Sequence, residues 1–518
     1  MFRRLVALAA CCLLPAALAQ DLVLGTKLEL NTLDPHFFAA FPTGSSHEYL
    51  YDKLVVLDEK LKVAPSLAQS WKLVDDLTWE FRLRKGVTFH DGSPFTADDV
   101  LFTIERVPNV PNSPNSFAQF TRGIETVTKV DDHTLVIRTK APNPVLPNDL
   151  SNVWIVSAKA AKGATTADFN SGKAAIGTGP YKLVEWVNGE RLVVERNERY
   201  WGPKPHWAKV TERVIAKDPT RLAALLSGQV DAIDAVPIPD LERLRKEGRF
   251  SLYRGAAALV HYVALDSARD VSPFVTAKDG KALASNPLKD PRVRKALSLA
   301  INRDLLSRRV MEGSAIPASQ LLSNEFPGAS KTLKPDPHDP ARAQALLKEA
   351  GWGDGFRIVL HATADRYPND ASLAQAIAQM WTRIGLKAEV ETLPGSVFFT
   401  RASKQEFSAF AAQYGAEEAA NSLRALVASF NPAKGFGTAN RTRYSNPVVD
   451  SLLEESNRTM DDELRQQKLA RAINFAMADT PLIPVFYPIF DFAAKKELTV
   501  TPRAQRRFNA MMVAPKGK

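Results

Sequence analysis

Alternating polar and apolar residues predict strands in the N-terminal part of the chain. Residues 78–83 (TWEFRL) and 133–139 follow this alternation, which is typical of a half-buried strand. Residues 181–187 and 191–195 form two more such stretches, joined by Asn188-Gly189. Because this dipeptide tolerates positive φ, the pattern predicts a tight hairpin turn.

Helical spacing of apolar residues becomes frequent after residue 215, and each stretch has a clear start signal. Asp-Pro pairs at 218–219, 290–291 and 339–340 precede such stretches. Aspartate is a good N-cap, and proline is tolerated in the first turn of a helix. We therefore predict three helices, the first with Asp218 as its N-cap.

The segment from 339 to 415 predicts a parallel sheet covered by helices. Its apolar pattern reads strand 356–361, helix 371–384, strand 387–392, helix 395–404 and strand 407–413. This alternation indicates an α/β unit, and ligands of such sheets bind beyond the carboxyl ends of the strands. Arg366 follows the first of these strands and Glu417 follows the third, so both are candidate binding residues.

Size and charge narrow the class of protein. The chain has 518 residues, enough for several domains, and a formal net charge of +10. Its positive residues are scattered, and the densest cluster is only Arg503, Arg506 and Arg507. A nucleic-acid surface would concentrate charge on one face, so we expect no nucleic-acid partner.

The N-terminus is typical of a secretory signal peptide. Arg3 and Arg4 precede an apolar run at 5–14, and Ala17-Leu18-Ala19 offers small residues for cleavage after Ala19. A lipoprotein acylation box ending at Cys11 is the alternative. Both cysteines, Cys11 and Cys12, lie in this segment. We expect an exported, periplasmic protein without disulfides.

Known catalytic motifs are absent from the sequence. No phosphate loop and no Gly-x-Ser-x-Gly elbow occurs, and Gly177-Thr178-Gly179 lacks the third glycine of a dinucleotide fingerprint. The eight histidines are dispersed, which gives a metal site little support without excluding one in three dimensions. The sequence therefore favours a binding protein over an enzyme, with no cofactor and no metal.

Several further motifs span the chain in order: 64–71 (APSLAQSW), 78–92 (TWEFRLRKGVTFHDG), 96–100 (TADDV), 177–181 (GTGPY), 198–202 (ERYWG), 290–297 (DPRVRKAL), 300–303 (AINR) and 444–447 (YSNP). Together they resemble the family 5 extracellular solute-binding proteins, the peptide, glutathione and nickel receptors of ABC importers.

The resemblance implies an α/β fold of the periplasmic-binding-protein type II-like kind, a two-lobed clamp with an additional subdomain and the ligand between the lobes. Lobe I would comprise 20–52, 182–262 and 485–518, subdomain II 53–181, and lobe III 263–484. Trp79, Phe81 and Phe89 of the motifs would then be core residues and not ligand contacts.

The resemblance also implies roles for lobe III residues. In similar dipeptide receptors an arginine before a Tyr-Asn-Pro-Asn-like stretch holds the ligand carboxylate, and Arg366-Tyr367 fits that position. A structural ion pair is the alternative for Arg366. In the same receptors an aspartate after an aromatic-x-Gly turn holds the ligand amine, and Tyr414, Gly415 and Glu417 occupy this position here. Glu417 keeps the charge of the aspartate but has a longer side chain; a solvated loop carboxylate is the alternative for Glu417.

Further residues are expected at the cleft. The resemblance places the lobe I loop with Phe41, Thr43, Gly44 and Ser45 there, a plain surface loop being the alternative, and Phe398 is a candidate wall of the pocket. After Glu417 the sequence departs from the peptide receptors and looks more like glutathione-type members.

The sequence thus predicts a monomeric receptor of an ABC importer that captures short peptides or peptide-like solutes and delivers them to a membrane permease and ATPase. Glutathione, opine-like, metal or heme cargo is the alternative within the family. An exported enzyme or chaperone on this fold is the alternative outside it, because fold alone does not fix function.

Overall fold

The computed structural model describes residues 21–39, 45–505 and 507–517. The predicted signal peptide and Phe41, Thr43 and Gly44 lie outside the described residues. Across the ranges that are described, no helix has both the length and the apolar character needed to cross a membrane.

The strands of the described residues are β1 (Leu22–Thr26), β2 (Val55–Leu57), β3 (Val63–Pro65), β4 (Ala68–Asp75), β5 (Thr78–Leu83), β6 (Ile124–Asp131), β7 (Thr134–Thr139), β8 (Tyr181–Val187), β9 (Arg191–Arg196), β10 (Lys209–Val214), β11 (Ala232–Ile233), β12 (Phe250–Ala256), β13 (Leu259–Leu265), β14 (Val275–Thr276), β15 (Ala315–Pro317), β16 (Arg357–Thr363), β17 (Lys387–Leu393), β18 (Ala409–Gly415), β19 (Leu482–Lys495), β20 (Leu498–Val500) and β21 (Val513–Pro515).

The α-helices are α1 (His47–Leu50), α2 (Ala97–Arg106), α3 (Leu146–Leu150), α4 (Ala158–Ala161), α5 (Thr166–Asn170), α6 (Asp218–Leu226), α7 (Leu241–Glu247), α8 (Pro291–Leu299), α9 (Arg303–Leu305), α10 (Pro340–Glu349), α11 (Asp370–Arg383), α12 (Gly395–Ser403), α13 (Ala419–Leu426), α14 (Pro447–Ser456) and α15 (Asp462–Ala478).

A 13-stranded sheet forms the centre of the molecule and has two halves. One half contains β1 and β8 to β12, and the other contains β13 to β18. The long strand β19 belongs to both, because its first residues pair with β13 and its last residues pair with β12 and β11. The halves are therefore joined along β19 and where β12 leads into β13.

The second half contains the predicted parallel unit. Strand β16 pairs in parallel with both β17 and β18, and α11 and α12 connect these strands. Leu373, Ile377 and Trp381 of α11 are buried in the core under the sheet. The strand–helix–strand–helix–strand prediction is confirmed, and the loops after β16 and β18 lie at the same sheet edge.

The N-terminal predictions are also confirmed. Strands β5 and β7 pair in the four-stranded antiparallel sheet β4-β5-β7-β6, and Trp79, Phe81 and Phe89 are buried beside it. Strands β8 and β9 form the expected hairpin, with Gly189 at φ +70° in its turn.

Helix starts agree with the sequence at two of the three Asp-Pro pairs. The Asp290 and Asp339 side chains accept hydrogen bonds from the backbone N–H groups of Arg292 and Arg342. The prediction for Asp218 is wrong, because Lys217 occupies the N-cap position of α6. The Asp218 carboxylate instead accepts a 2.7 Å hydrogen bond from the buried guanidinium of Arg221.

Candidate functional site

The loop between β16 and α11 is held by a buried aspartate. The carboxylate of Asp370 accepts hydrogen bonds from Thr363 Oγ1 at 2.6 Å and from the backbone N–H groups of Arg366 and Tyr367, both at 3.2 Å. Asn369 adopts φ +56° and donates its side-chain amide to the carbonyl of Val310. The backbone under Arg366 is thus fixed before any ligand arrives.

The Arg366 side chain is exposed on this fixed loop. Its guanidinium carbon lies 6.0 Å from the centre of the Phe399 ring. Within the described ranges no carboxylate lies within 4.0 Å of it as an ion-pair partner, whereas Arg357 and Arg401 are both paired. The side chain therefore remains available to a carboxylate from outside the protein.

Tyr367 connects this loop to the neighbouring strand. Its ring packs edge-on against His261 of β13, with 6.2 Å between ring centres. Burial raises the pKa of Tyr367, and the backbone of Gln413 in β18 and the charges of Arg366 and Arg441 oppose that rise. Tyr367 thus lies between the two strand ends that carry Arg366 and Glu417.

Strand β18 ends at Gly415, where a side chain would not fit. A Cβ atom at this position would come within 2.5 Å of Leu259 Cδ2 in the paired strand β13. The next residue continues the pairing, since the N–H of Ala416 donates to the carbonyl of Ala258 at 3.1 Å. The close approach fixes the direction in which the chain leaves the sheet toward Glu417.

Glu417 is a buried carboxylate with spare hydrogen-bonding capacity. Its residue is 8% exposed, and its Oε1 atom is buried without a hydrogen-bond partner among the described residues. A buried acceptor left unpaired is costly, so such an atom is an attractive place for a donor. This burial is contrary to the alternative of a solvated loop residue.

Two cations from the other half of the molecule lie near Glu417. Lys53 is buried, with its Nζ atom 4.0 Å from the centre of the Trp154 ring. Burial lowers the pKa of Lys53 to about 7, Arg507 adds to this effect, and Glu48 and Glu417 oppose it. Although burial works against it, Glu48 and Glu417 raise the pKa of Arg507. Glu417 thus faces positive charge across the cleft.

Glu48 is the centre of a fully paired cluster on that facing side. Its carboxylate accepts hydrogen bonds from Arg503 Nη1 at 3.0 Å, from Arg507 Nη1, and from Asn509 Nδ2 at 2.7 Å. The pKa of Glu48 is about 2: burial opposes this low value, and Arg507 and Arg503 outweigh burial.

Ser45 is the part of the predicted lobe I loop that the structure describes, and it adjoins this cluster. Its carbonyl accepts a 3.0 Å hydrogen bond from Asn509 Nδ2. Its predicted ligand role stays a prediction, as do those of Phe41, Thr43 and Gly44.

The prediction that Phe398 walls the pocket is wrong. Phe398 has no exposed surface and packs among Phe407, Phe410 and the rest of the core beneath β18. Its neighbour Phe399 is half-buried and lies beside Arg366. The two aromatics point to different sides of α12, and the outer one is at the site.

Sequence reasoning missed Lys53, Arg507 and Arg441 as components of the cleft. No local pattern marks Lys53 or Arg441. Arg507 belongs to the densest positive cluster in the sequence, and that density was the one available signal. In the structure Arg503 and Arg507 hold Glu48, and Arg506 lies outside the described residues.

A change from the dipeptide-receptor pattern after Glu417 has a structural explanation at Glu418. The Glu418 carboxylate pairs with Arg465 of α15, and both side chains are buried. Glu418 is therefore engaged within the protein, and the cleft charge at this strand end comes from Glu417. Elsewhere in the described ranges no group of three His, Cys, Asp or Glu side chains is placed to hold a metal ion.

The two sheet halves, joined along β19 and where β12 leads into β13, give the two-part α/β fold of periplasmic binding proteins. Solved structures support this fold. The model matches HbpA2 from Haemophilus parasuis with a TM-score of 0.82 at 22% identity, covering 96% of this chain and 100% of that one. It matches the periplasmic binding protein DppA from Helicobacter pylori, in complex with the peptide STSA, with a TM-score of 0.74 at 24% identity, covering 96% and 98%.

The family is established by the sequence. Residues 62–434, well over half of the chain, match the model for bacterial extracellular solute-binding proteins, family 5, and the chain belongs to this family. A curated relative, the glutathione-binding protein GsiB of Pectobacterium atrosepticum, is 29% identical over 504 residues, 94% of this chain and 92% of the relative. Members of the family are periplasmic solute-binding receptors of ABC importers and not enzymes.

Proposed function

We propose that this receptor captures short peptides or peptide-like solutes with a free carboxylate and a free amine. Arg366 would hold the carboxylate through two parallel hydrogen bonds, and Glu417 would hold the amine. The observation that carries the proposal is the contrast at one sheet edge: an arginine without a carboxylate partner and a buried glutamate oxygen without a donor.

The facing cations limit how Glu417 can act. Lys53 and Arg507 already make the electrostatic potential at its carboxylate more positive, so a ligand amine adds to existing positive charge. The unpaired Oε1 atom supports the amine role nevertheless, because these cations leave that oxygen without a hydrogen bond. A donor that reaches Oε1 gains a charge-assisted bond in a water-poor setting.

Closure of the clamp would couple binding to transport. A ligand held by both sheet halves favours the closed state by the difference between its affinities for the closed and open states. We propose that the strand crossings near 262–266 and near 484–487 absorb this motion. We also propose that the division into lobe I, subdomain II and lobe III follows the predicted boundaries, and that the protein acts as a monomer cleaved after Ala19.

Glutathione is the second candidate ligand, and the curated relatives favour it. The relative from Pectobacterium atrosepticum is named for glutathione binding. Glutathione has carboxylates and a free amine, so Arg366 and Glu417 suit it as they suit an ordinary peptide. For metal cargo, the described residues contain no group of three His, Cys, Asp or Glu side chains placed to hold a metal ion. Heme cargo stays an alternative.

Native mass spectrometry of residues 20–518, freshly purified from the periplasm, tests the proposal. We expect extra mass that is released on denaturation and fragments as di- to pentapeptides or as glutathione. A ligand-free mass, together with no calorimetric response to a tripeptide mixture or to glutathione, would contradict it.

A further inference from the structure

Arg441 lies in a loop that is rigidly held before ligand binding. The buried side chain of Asn440 donates to the carbonyls of Ala428 at 3.0 Å and Tyr444 at 2.8 Å, and it accepts from the N–H of Tyr444 at 3.2 Å. These bonds close the loop on both sides of Arg441. The position of its backbone is therefore set by the fold.

The Arg441 side chain reaches the same aromatic ring as Arg366. Its guanidinium carbon is 5.6 Å from the centre of the Phe399 ring, and that of Arg366 is 6.0 Å from it. The Nε atom of Arg441 is buried without a hydrogen-bond partner among the described residues. Like Arg366, Arg441 has no carboxylate of the described ranges within 4.0 Å as an ion-pair partner.

The charge of Arg441 affects three tyrosines near the ends of β16 and β18. Burial raises the pKa of Tyr262, Tyr367 and Tyr414, and the charge of Arg441 opposes the rise at each of them. Arg441 thus belongs to the surface formed by the ends of β16 and β18, where the proposed carboxylate and amine contacts also lie.

The charges at this surface do not balance. Arg366 and Arg441 have no carboxylate partner, and Lys53 and Arg507 already face Glu417. A guanidinium with a buried, unpaired N–H, as in Arg441, is unfavourable unless a bound anion supplies the missing partner. A ligand with one carboxylate and one amine would satisfy Arg366 and Glu417 and leave Arg441 unpaired.

We propose that Arg366 and Arg441 form a two-arginine anion site around Phe399 and that it selects peptide-like ligands with a second carboxylate. This inference rests on the proposed peptide-binding function. The favoured class is an acidic peptide with one amine and two carboxylates, whether the second carboxylate belongs to a glutamate side chain or to a γ-linked residue.

The test compares two peptides that differ by one charge. Isothermal titration of the purified protein at neutral pH would use Glu-Ala-Gly and Gln-Ala-Gly, with reduced glutathione as a third probe. We expect the wild type to bind Glu-Ala-Gly about tenfold or more tighter than Gln-Ala-Gly, since a desolvated charge pair contributes at least that much.

Substitutions test whether Arg441 causes the preference for Glu-Ala-Gly over Gln-Ala-Gly. Arg441→Gln should weaken binding of Glu-Ala-Gly to the level of Gln-Ala-Gly and leave Gln-Ala-Gly unchanged, and Arg441→Lys should keep part of the preference. The matched control is Arg443→Gln in the same loop, which removes the same charge from a side chain that stacks 3.5 Å over Phe430. It should retain the full preference.

Three results would overturn the inference. Equal affinity of the wild type for both peptides, with both bound, refutes the second carboxylate contact and leaves the proposed function standing. A full preference in Arg441→Gln refutes the assignment to Arg441. Absence of binding of all three probes to the wild type refutes the proposed function, and the anion site with it.

Discussion

Glu48 and Glu417 are two largely buried glutamates that both act on Lys53, yet their carboxylates are used in opposite ways. Glu48 accepts hydrogen bonds from two arginines and an asparagine. Glu417 keeps one buried oxygen without any partner among the described residues. Burial and a nearby cation are common to both, so neither feature marks a binding residue. The hydrogen bonds distinguish the two: Glu48 is paired within the fold, whereas Glu417 is the glutamate that we propose to bind the ligand amine.

The largest expected effect is on stability at Glu48. Glu48→Gln leaves Arg503 and Arg507 partly buried without their counter-charge, which should cost about 3 kcal/mol in the free energy of unfolding. Urea unfolding followed by circular dichroism measures this. Glu59→Gln at an exposed position is the control and should change stability by less than about 0.5 kcal/mol. Equal effects of the two substitutions would contradict a structural role for the cluster.

The pH dependence of stability in the wild type and in Glu48→Gln tests the same cluster further. Since the pKa of Glu48 falls from 4.5 to about 2 on folding, the unfolded chain binds the proton more tightly. The contribution of Glu48 to the free energy of unfolding is complete above pH 4.5 and is lost as the pH falls toward 2. The stability difference between wild type and Glu48→Gln should therefore shrink across this range.

Arg366 should show the reverse behaviour, with a loss of binding and little loss of stability. Arg366→Ala should weaken calorimetric binding of a peptide with a free carboxylate by about 2 kcal/mol, as expected when one partner of a desolvated charge pair is removed. The control is Arg383→Ala at the far end of α11, which should bind normally. Unchanged affinity of Arg366→Ala would contradict the proposed contact between Arg366 and the ligand carboxylate.

The smallest effect is expected at Glu417. Glu417→Gln should reduce affinity for a free-amine peptide by about 1.4 kcal/mol, or tenfold, and should not affect binding of the same peptide after N-acetylation. Its stability should equal or slightly exceed that of the wild type, because the substitution removes a buried charge with an unpaired oxygen. A loss of stability as large as that of Glu48→Gln would show that Glu417, like Glu48, stabilises the fold.

Much of lobe III was predictable because local patterns determine it. Apolar spacing specified β16, α11, β17, α12 and β18, and the rule for parallel sheets put Arg366 and Glu417 at one edge. Phe398 and Phe399 were not separable, since the side of α12 that packs on the core depends on how the helix lies against the sheet. Asp218 was misassigned because the nearby buried Arg221 offered its carboxylate a charged partner.

The facing side of the cleft was not predictable from local patterns. Glu48 and Arg503 are separated by 455 positions in the sequence, and Lys53 approaches Glu417 only through the packing of the sheet halves. Arg441 lies in an irregular loop without periodicity. Contacts of this kind depend on tertiary structure, and one sequence contains no signal for them.

The strand β19 has a consequence for how the molecule matures. It completes both sheet halves, pairing with β13 and with β11 and β12, so neither half is finished until residues 482–495 are available. Pairings this distant along the chain form slowly. A polypeptide leaving the ribosome would therefore stay incompletely folded until almost all of it has been made. Members of this family are periplasmic, and such a delay would suit export in extended form before the native structure is acquired.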